Sequence, residues 1–270
     1  MTAQIEKLGQ STLLIVGHGR SDSPDSTTLI QRHADTITKR GIFKEVKTGF
    51  LKIAPFMADQ LKTIESEIVY VVPCFASPGS LTKTVIPKEL GLTGKITERG
   101  GQKILFGGPI GNHPMIAQRL QELVQETVNA SELSGQDTTM IVLGHGSSHN
   151  PQSEIDTQTI ADQIDELNLA QHVIALFLDQ KPNLADWQEH CGTQNVIIIS
   201  HLFSGGAHET VDVPTLLGID PELTKDRLIS DLPIGPIVCE GHTLWLCPSI
   251  GADQIVPDVI IERVLELNQL

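Results

Sequence analysis

The residues best suited to chemistry stand in the segment 196–214, VIIISHLFSGGAHETVDVP. Its apolar start predicts a buried strand, and the Gly205-Gly206 pair predicts a loop that presents His208. Open α/β sheets place their ligand chemistry in the loops at the carboxyl ends of parallel strands. The candidate site residues are therefore His208 and its polar neighbours His201, Glu209 and Asp212.

A second histidine, His145, follows another predicted strand in the motif Gly144-His145-Gly146-Ser147. Glycine lets the backbone turn sharply beside a ligand, and the free N–H groups of a following helix attract an anion such as a carboxylate. In a sheet of strand order 2-1-3-4, the loops after strands one and three face the same crevice. We expect His145 and His208 to meet there, where two imidazoles can bind a divalent metal ion or transfer protons.

These motifs belong to an internal duplication whose two copies align at a spacing of 127 residues. Gly17-His18-Gly19 recurs as Gly144-His145-Gly146, and Phe50-Leu51 recurs as Phe177-Leu178. Near the end of each copy the spacing rises from 127 to 140, so the second copy carries 13 additional residues. Repetition of this extent predicts two lobes of the same fold.

The boundary between the lobes is expected in the polar segment 125–139, which has the composition of a linker. This division gives an N-terminal lobe over residues 1–127 and a C-terminal lobe over residues 128–270. Two such lobes would enclose a cleft.

Short apolar or β-branched runs alternate with helical patterns in both copies. The predicted strands are Thr12–Val16, Val46–Phe50, Ile68–Val72, Ile104–Phe106, Met140–Leu143, Val173–Phe177, Val196–Ser200 and His242–Leu246. Alternation of strand and helix indicates parallel sheets with helices on both faces. The predicted fold class is α/β, with two similar doubly wound lobes, each a parallel four-stranded sheet flanked by helices.

The composition excludes several classes of protein. An apolar content of 40% is typical of a globular chain, and no apolar run reaches the roughly 18 residues of a membrane span. The N-terminus lacks the pattern of a signal peptide, which predicts a soluble, cytoplasmic protein. A net charge of −14 without basic runs argues against nucleic acid and anionic membranes as partners. The four scattered cysteines predict buried free thiols rather than a zinc site or disulfides.

The first copy keeps His18 but lacks the second histidine. Leu81 stands at the position of His208, Thr82 at that of Glu209, and Val85 at that of Asp212. We therefore expect one site, built mainly by the second lobe and walled by the first. Whether His18, His149 and His201 take part stays open.

The ordered motifs of the second copy resemble those of the class II tetrapyrrole metal chelatases, specifically the CbiX-type sirohydrochlorin chelatases. The motifs that carry the resemblance are Gly144-His145-Gly146-Ser147, Phe177-Leu178 with Pro182, Gly206-Ala207-His208 and Asp212-Val213-Pro214. The resemblance covers nearly the whole chain as two copies, although the loop of the second copy begins with Ser200-His201 where the family commonly has a proline.

The resemblance implies insertion of Co²⁺, or alternatively Fe²⁺, into sirohydrochlorin in cobalamin or siroheme biosynthesis. It implies that His145 and His208 bind the incoming metal and accept the pyrrole protons, with Asp179 as a further metal ligand and Glu209 as a further catalytic group. Gly146, Ser147 and Gly206 are the expected substrate-binding residues. No tightly bound cofactor is expected, and the chain could work as a monomer or a homodimer.

Sirohydrochlorin carries eight carboxylates, which conflicts with so acidic a protein unless basic groups gather near the site. The candidates lie in or beside loops at strand ends, and they are Arg20, Lys52, Lys83 and Lys181. Each of them could equally be a solvated surface charge.

Three other functions are possible for a chain with these motifs. A phosphoryl-transfer enzyme needs arginines around the phosphate, and none precedes either Gly-His-Gly motif. A serine hydrolase is disfavoured because Ser147 and Ser148 are out of frame for the G-x-S-x-G motif. A tetrapyrrole or metal carrier without turnover is favoured by the incomplete first copy, and tight binding without catalysed insertion would identify it.

Overall fold

The computed structural model describes residues 8–21, 24–147, 151–203 and 208–269. The elements of the first copy are β1 Thr12–Gly17, α1 Thr28–Lys39, β2 Glu45–Phe50, α2 Met57–Lys62, β3 Ile68–Pro73, α3 Ile86–Leu90, β4 Ile96–Arg99, β5 Gln102–Phe106 and α4 Pro114–Ser131. Those of the second copy are β6 Thr138–Gly144, α5 Gln152–Asp165, β7 His172–Phe177, β8 Asn195–Ser200, α6 Val213–Leu217, β9 Ile234–Cys239, β10 His242–Leu246 and α7 Val256–Leu267.

Each copy forms its own five-stranded sheet, with strand orders β2-β1-β3-β5-β4 and β7-β6-β8-β10-β9. Four strands of each sheet run parallel, in the predicted order, and the fifth pairs antiparallel at one edge. The α/β fold class is therefore confirmed. The prediction of four strands per sheet was wrong.

The missed strands are β4 and β9, and neither has the sequence pattern of a core strand. β4 has the sequence ITER and exposes its last two residues. β9 has the sequence IGPIVC, in which a Gly-Pro pair interrupts the apolar run. Because edge strands bury little apolar surface, their composition is free to depart from that of buried strands.

The strands that carry the candidate site lie at the centre of the second sheet. All seven residues of β6 are buried, and so are the last five of β8. A strand covered by helices on both faces needs a continuous apolar run, which explains the sequences TTMIVLG and NVIIIS. Helix α5 covers one face with Ile160, Ala161 and Ile164, at the spacing predicted for a buried helix face.

The described chain divides into two compact units. Unit 1 comprises Met1–Gly111 and Gln254–Leu270, and unit 2 comprises Asn112–Asp253. Helix α4 of the first copy thus belongs to unit 2, and helix α7 of the second copy belongs to unit 1. The boundary predicted between residues 127 and 128 separates the two sequence copies. The compact units follow a different division, because each contains the last helix of the other copy.

The prediction of a linker over residues 125–139 was wrong at both ends, because α4 continues to Ser131 and β6 begins at Thr138. In its helical part, residues 125–131, Gln125, Glu126 and Asn129 are exposed, whereas the opposite side of α4 buries Thr127. An amphipathic helix therefore accounts for the polar composition of this part. Residues 138 and 139, at the other end of the segment, are buried in β6.

The four cysteines are free, as predicted, but the prediction that they are buried was wrong for Cys191 and Cys239, which are partly exposed. Cys74 and Cys247 are buried, and burial raises the pKa of the Cys74 thiol to about 12. In the part of the chain that the structure describes, no helix has both the length and the apolarity to cross a bilayer.

Candidate functional site

His145 directly follows β6, at the carboxyl edge of the unit 2 sheet. Its carbonyl oxygen accepts hydrogen bonds from the backbone N–H groups of Leu178 and Asp179, at 3.2 and 2.9 Å. These two bonds fasten the end of β7 to the loop that carries the histidine. Gly146 follows with φ of +78°, and a Cβ atom there would lie 2.7 Å from Cγ of Gln180. Only glycine fits this turn.

His208 opens a π-helical turn, His208–Asp212, which continues into α6. This turn follows β8, and β8 pairs in parallel with β6 so that Leu143 lies opposite Ser200. The two loops therefore leave the sheet from adjacent strands, as the predicted strand order requires. Gly206, predicted to bind substrate, and His149 both lie outside the described residues.

The rings of His145 and His208 are in edge-to-face contact, with their centroids 5.5 Å apart and their planes at 83°. The side chain of His145 is 42% exposed and that of His208 is 25% exposed, so both can be reached from solvent. The fold thus joins two histidines that are 63 residues apart in sequence. Their roles as metal ligands stay a prediction.

Hydrogen bonds on Nδ1 determine which ring nitrogen is open to a metal ion. His208 Nδ1 lies 2.8 Å from Asp212 Oδ2, and His145 Nδ1 lies 3.2 Å from the carbonyl oxygen of Gly146. A carbonyl or carboxylate oxygen accepts only, so we assign the proton to Nδ1 in both rings. This tautomer leaves the Nε2 lone pairs as the ligands, and a carboxylate behind the ring is the usual partner of a metal-binding histidine.

Asp179, predicted as a metal ligand, lies on the Nδ1 side of His145. Its Oδ2 atom is 3.4 Å from His145 Nδ1, and its side chain is 65% exposed. In this position the carboxylate orients the His145 ring and would stabilise it when protonated. Direct ligation of metal by Asp179 stays a prediction.

Glu209, predicted as catalytic, is completely buried within unit 2. Its Oε1 atom accepts a hydrogen bond of 2.7 Å from Ser249 Oγ. The carboxylate that contacts the His208 ring is instead that of Asp212, four residues further on. Sequence reasoning named Asp212 as a neighbour of His208 without assigning it a role. A spacing of four on a helical turn was the signal that could have identified it, because residues four apart share a face.

The backbone N–H groups expected to hold substrate carboxylates are engaged within the protein. Ser147 N donates to Gln180 Oε1 at 2.6 Å, and Gly146 N donates to Ser153 Oγ at 3.2 Å. Gln180 is itself fixed by a bond of 2.8 Å from its Nε2 atom to Glu154. These bonds shape the loop that holds His145, and substrate binding by Gly146 and Ser147 would require breaking them.

The remaining candidates lie at several other places in the described part of the chain. His201 is fully buried, and its ring packs on Phe203 with centroids 5.7 Å apart. Lys181 forms an ion pair with Asp186, which raises the pKa of the lysine. His18, Arg20, Lys52 and Lys83 belong to unit 1. Within the described ranges, no group of three or more His, Cys, Asp or Glu side chains is arranged to hold a metal ion.

Comparison with known proteins identifies the family. A model of the CbiX family matches residues 12–127 and, a second time, residues 139–267. The chain belongs to the CbiX family. Each match covers one copy of the internal duplication, so the duplicated family signature predicted from sequence is confirmed.

The chain is similar to known proteins in sequence and in fold. A protein of Halobacterium salinarum named a probable sirohydrochlorin cobaltochelatase is 31% identical over 271 residues, which cover 94% of this chain and 90% of that protein. The crystal structure of the sirohydrochlorin chelatase SirB from Bacillus subtilis subspecies spizizenii, in complex with cobalt, matches with a TM-score of 0.66 and 16% identity over 96% of this chain and 95% of that one.

A multi-domain protein of Deinococcus radiodurans, described as structurally similar to chelatases, matches with a TM-score of 0.68 and 20% identity. The match covers 94% of this chain and 54% of that protein, so the present chain spans about half of its length. At these identities, both structural likenesses concern the fold.

Proposed function

We propose that this chain is an enzyme that inserts a divalent metal ion into sirohydrochlorin, with Co²⁺ as the preferred metal and Fe²⁺ as the alternative. The observation that carries the proposal is the pair of accessible imidazoles, His145 and His208, each held in one tautomer by its Nδ1 bond. The name of the Halobacterium relative supports the choice of substrate and of cobalt.

The metal ion is a substrate that the two Nε2 atoms hold before transfer. Imidazole binds first-row divalent ions, and two protein ligands leave further coordination positions open to water and to the pyrrole nitrogens. Incoming nitrogens can then replace the imidazoles one after another. A closed site with four protein ligands would hold the ion too firmly to release it.

Proton transfer completes the reaction. Insertion of a divalent ion displaces two N–H protons from the macrocycle, and each imidazole that releases the metal has an Nε2 lone pair to accept one of them. Asp212 beside His208, and Asp179 beside His145, would stabilise the resulting imidazolium ions by charge. Two protons leave the macrocycle and two bases receive them, so the step balances.

Imidazole ligands alone do not select cobalt over iron, because they bind either ion and selectivity often follows supply. A preference for Co²⁺ would indicate cobalamin biosynthesis, and a preference for Fe²⁺ would indicate siroheme biosynthesis.

The test is anaerobic insertion of Co²⁺ and, separately, Fe²⁺ into sirohydrochlorin, followed by absorbance against the non-enzymatic rate. We expect acceleration by the wild type, with Co²⁺ faster, and a loss of about a hundredfold or more in His145→Ala and in His208→Ala, because each removes both a ligand and a base. His18→Ala, the matched change in unit 1, should retain the rate within about twofold.

Macrocycle binding without acceleration by either metal would contradict the enzyme and favour a non-catalytic tetrapyrrole or metal carrier. Equal losses in His18→Ala and His208→Ala would contradict the assignment of the site to unit 2.

A further inference from the structure

Unit 1 reproduces the backbone that holds His145 in unit 2. The carbonyl oxygen of His18 accepts hydrogen bonds from the N–H groups of Leu51 and Lys52, at 3.1 and 2.9 Å. The carbonyl oxygen of His145 accepts the same pair of bonds from Leu178 and Asp179. Lys52 therefore occupies, in unit 1, the backbone position that Asp179 occupies in unit 2.

The π-helical turn of unit 2 also has a counterpart in unit 1, at residues Leu81–Val85. Leu81 replaces His208 at the start of this turn, and Lys83 stands at the position of Thr210. The loop before the turn is held by two bonds: Gly79 N donates to Thr82 Oγ1 at 2.9 Å, and Lys83 N donates to Gly79 O at 2.8 Å. The backbone that presents Lys83 is therefore fixed.

The equivalent strand-end surfaces have opposite charge. Unit 2 places carboxylates at Asp179 and Asp212, whereas unit 1 has Lys52 and Val85 at these positions and adds Lys83. Both lysines are exposed. Among the ion pairs formed within the described ranges, none includes Lys52 or Lys83.

We propose that Lys52 and Lys83 form a carboxylate-binding site at the strand ends of unit 1, whose ligand is a polycarboxylate tetrapyrrole. This inference rests on the proposed function, since that function supplies an octa-anionic substrate. A chain of net charge −14 repels such a ligand at long range, but salt limits that repulsion to a Debye length of about 8 Å at physiological ionic strength. Within that distance the two ammonium groups determine the sign of the interaction. An ammonium ion and a leucine cannot replace the metal ligands of unit 2, so this surface is suited to anions rather than to metal ions.

The experiment measures binding of metal-free uroporphyrin, a porphyrin with eight carboxylates, to the full chain by fluorescence at low and at moderate salt. The test variant is Lys52→Glu/Lys83→Glu. The matched control is Lys39→Glu/Lys62→Glu, which makes the same change of charge at the last residues of α1 and α2 in the same unit, on exposed side chains. Thermal unfolding of both variants checks that they fold.

We expect the dissociation constant of the test variant to rise about tenfold or more at low salt, because an exposed ion pair contributes up to about fivefold and charge reversal adds repulsion. Its dependence on salt should also weaken. The control variant should change by less than about threefold. Equal changes in the test and control variants, or no binding of uroporphyrin by the wild type, would overturn the proposal.

Measuring insertion on the same samples separates the two proposals. A wild type that inserts metal while the Lys52→Glu/Lys83→Glu variant binds uroporphyrin normally would overturn the carboxylate site and leave the chelatase. If the wild type fails to insert metal, while uroporphyrin binding is lost in the Lys52→Glu/Lys83→Glu variant and kept in the control, the chelatase is overturned and the carboxylate site remains.

Discussion

The carboxyl edges of the two sheets have the same backbone and different chemistry. In unit 2, the loops after β6 and β8 bring His145 and His208 together, with Asp212 and Asp179 on their Nδ1 atoms. In unit 1, the equivalent loops after β1 and β3 keep one histidine and have aliphatic residues at the positions of His208 and Asp212, and the loop after β2 has a lysine at the position of Asp179. The shared strand order and carbonyl bonds show that the backbone alone does not create the site. A few side chains at strand ends decide what the fold can bind.

The largest effect is expected from transferring the ligands of unit 2 onto unit 1. In the background His145→Ala/His208→Ala, the changes Lys52→Asp, Leu81→His and Val85→Asp should create a Co²⁺ site with His18, because the backbone positions already match. Equilibrium dialysis should show about one additional Co²⁺ per chain. Lys52→Asp alone, in the same background, is the control and should add none. A folded triple variant that binds no Co²⁺ would show that the two surfaces differ in more than these side chains.

A smaller effect is expected from removing the charge behind His208. Asp212→Asn should lower kcat/KM for metal insertion by about tenfold to a hundredfold, since the partner behind a metal-binding histidine fixes its tautomer and orientation. Asp179→Asn is the matched change on the other ring and should cost less, because its contact is longer, at 3.4 Å against 2.8 Å. A larger loss in Asp179→Asn would indicate that Asp179 ligates the metal directly.

The smallest effect on turnover is expected at the buried carboxylate, where the change should appear in stability. Ser249→Ala removes the donor to Glu209 and should lower the free energy of unfolding by about 1–3 kcal/mol in urea denaturation, because a buried carboxyl group loses a hydrogen bond. Thr82 of unit 1 stands at the position of Glu209, which suggests Glu209→Thr/Ser249→Ala as the control. Ser249→Ala should cost little in the Glu209→Thr background, and an equal cost in both backgrounds would contradict the pairing.

Much of the fold followed from the sequence because the central strands are long apolar runs and the duplication repeats them. The edge strands β4 and β9 were missed because burial, which marks a strand in sequence, is weak at the edge of a sheet. The sequence also did not predict that α4 and α7 belong to the units of the other copy. An amphipathic pattern shows that one face of a helix is buried, but it does not show which sheet covers that face.

The part of the candidate site that depends on strand order was predicted correctly. The part that depends on which side of a helical turn a residue occupies was missed. The parallel order of β6 and β8 was enough to expect His145 beside His208. Which carboxylate contacts His208, that of Glu209 or that of Asp212, depends on a π-helical turn, and the glycine-rich sequence does not predict this turn. Within that turn, the residue next to His208 points into the core, and the residue four positions on contacts the ring.

The most direct test of the account is a titration of the chain with Co²⁺ in the absence of any macrocycle, followed by visible absorbance of the bound ion. The wild type and His18→Ala should give the same spectrum with about one Co²⁺ per chain, whereas His145→Ala and His208→Ala should lose it. This result would assign metal binding to the paired imidazoles of unit 2. Loss of the spectrum in His18→Ala, with retention in His208→Ala, would contradict the account.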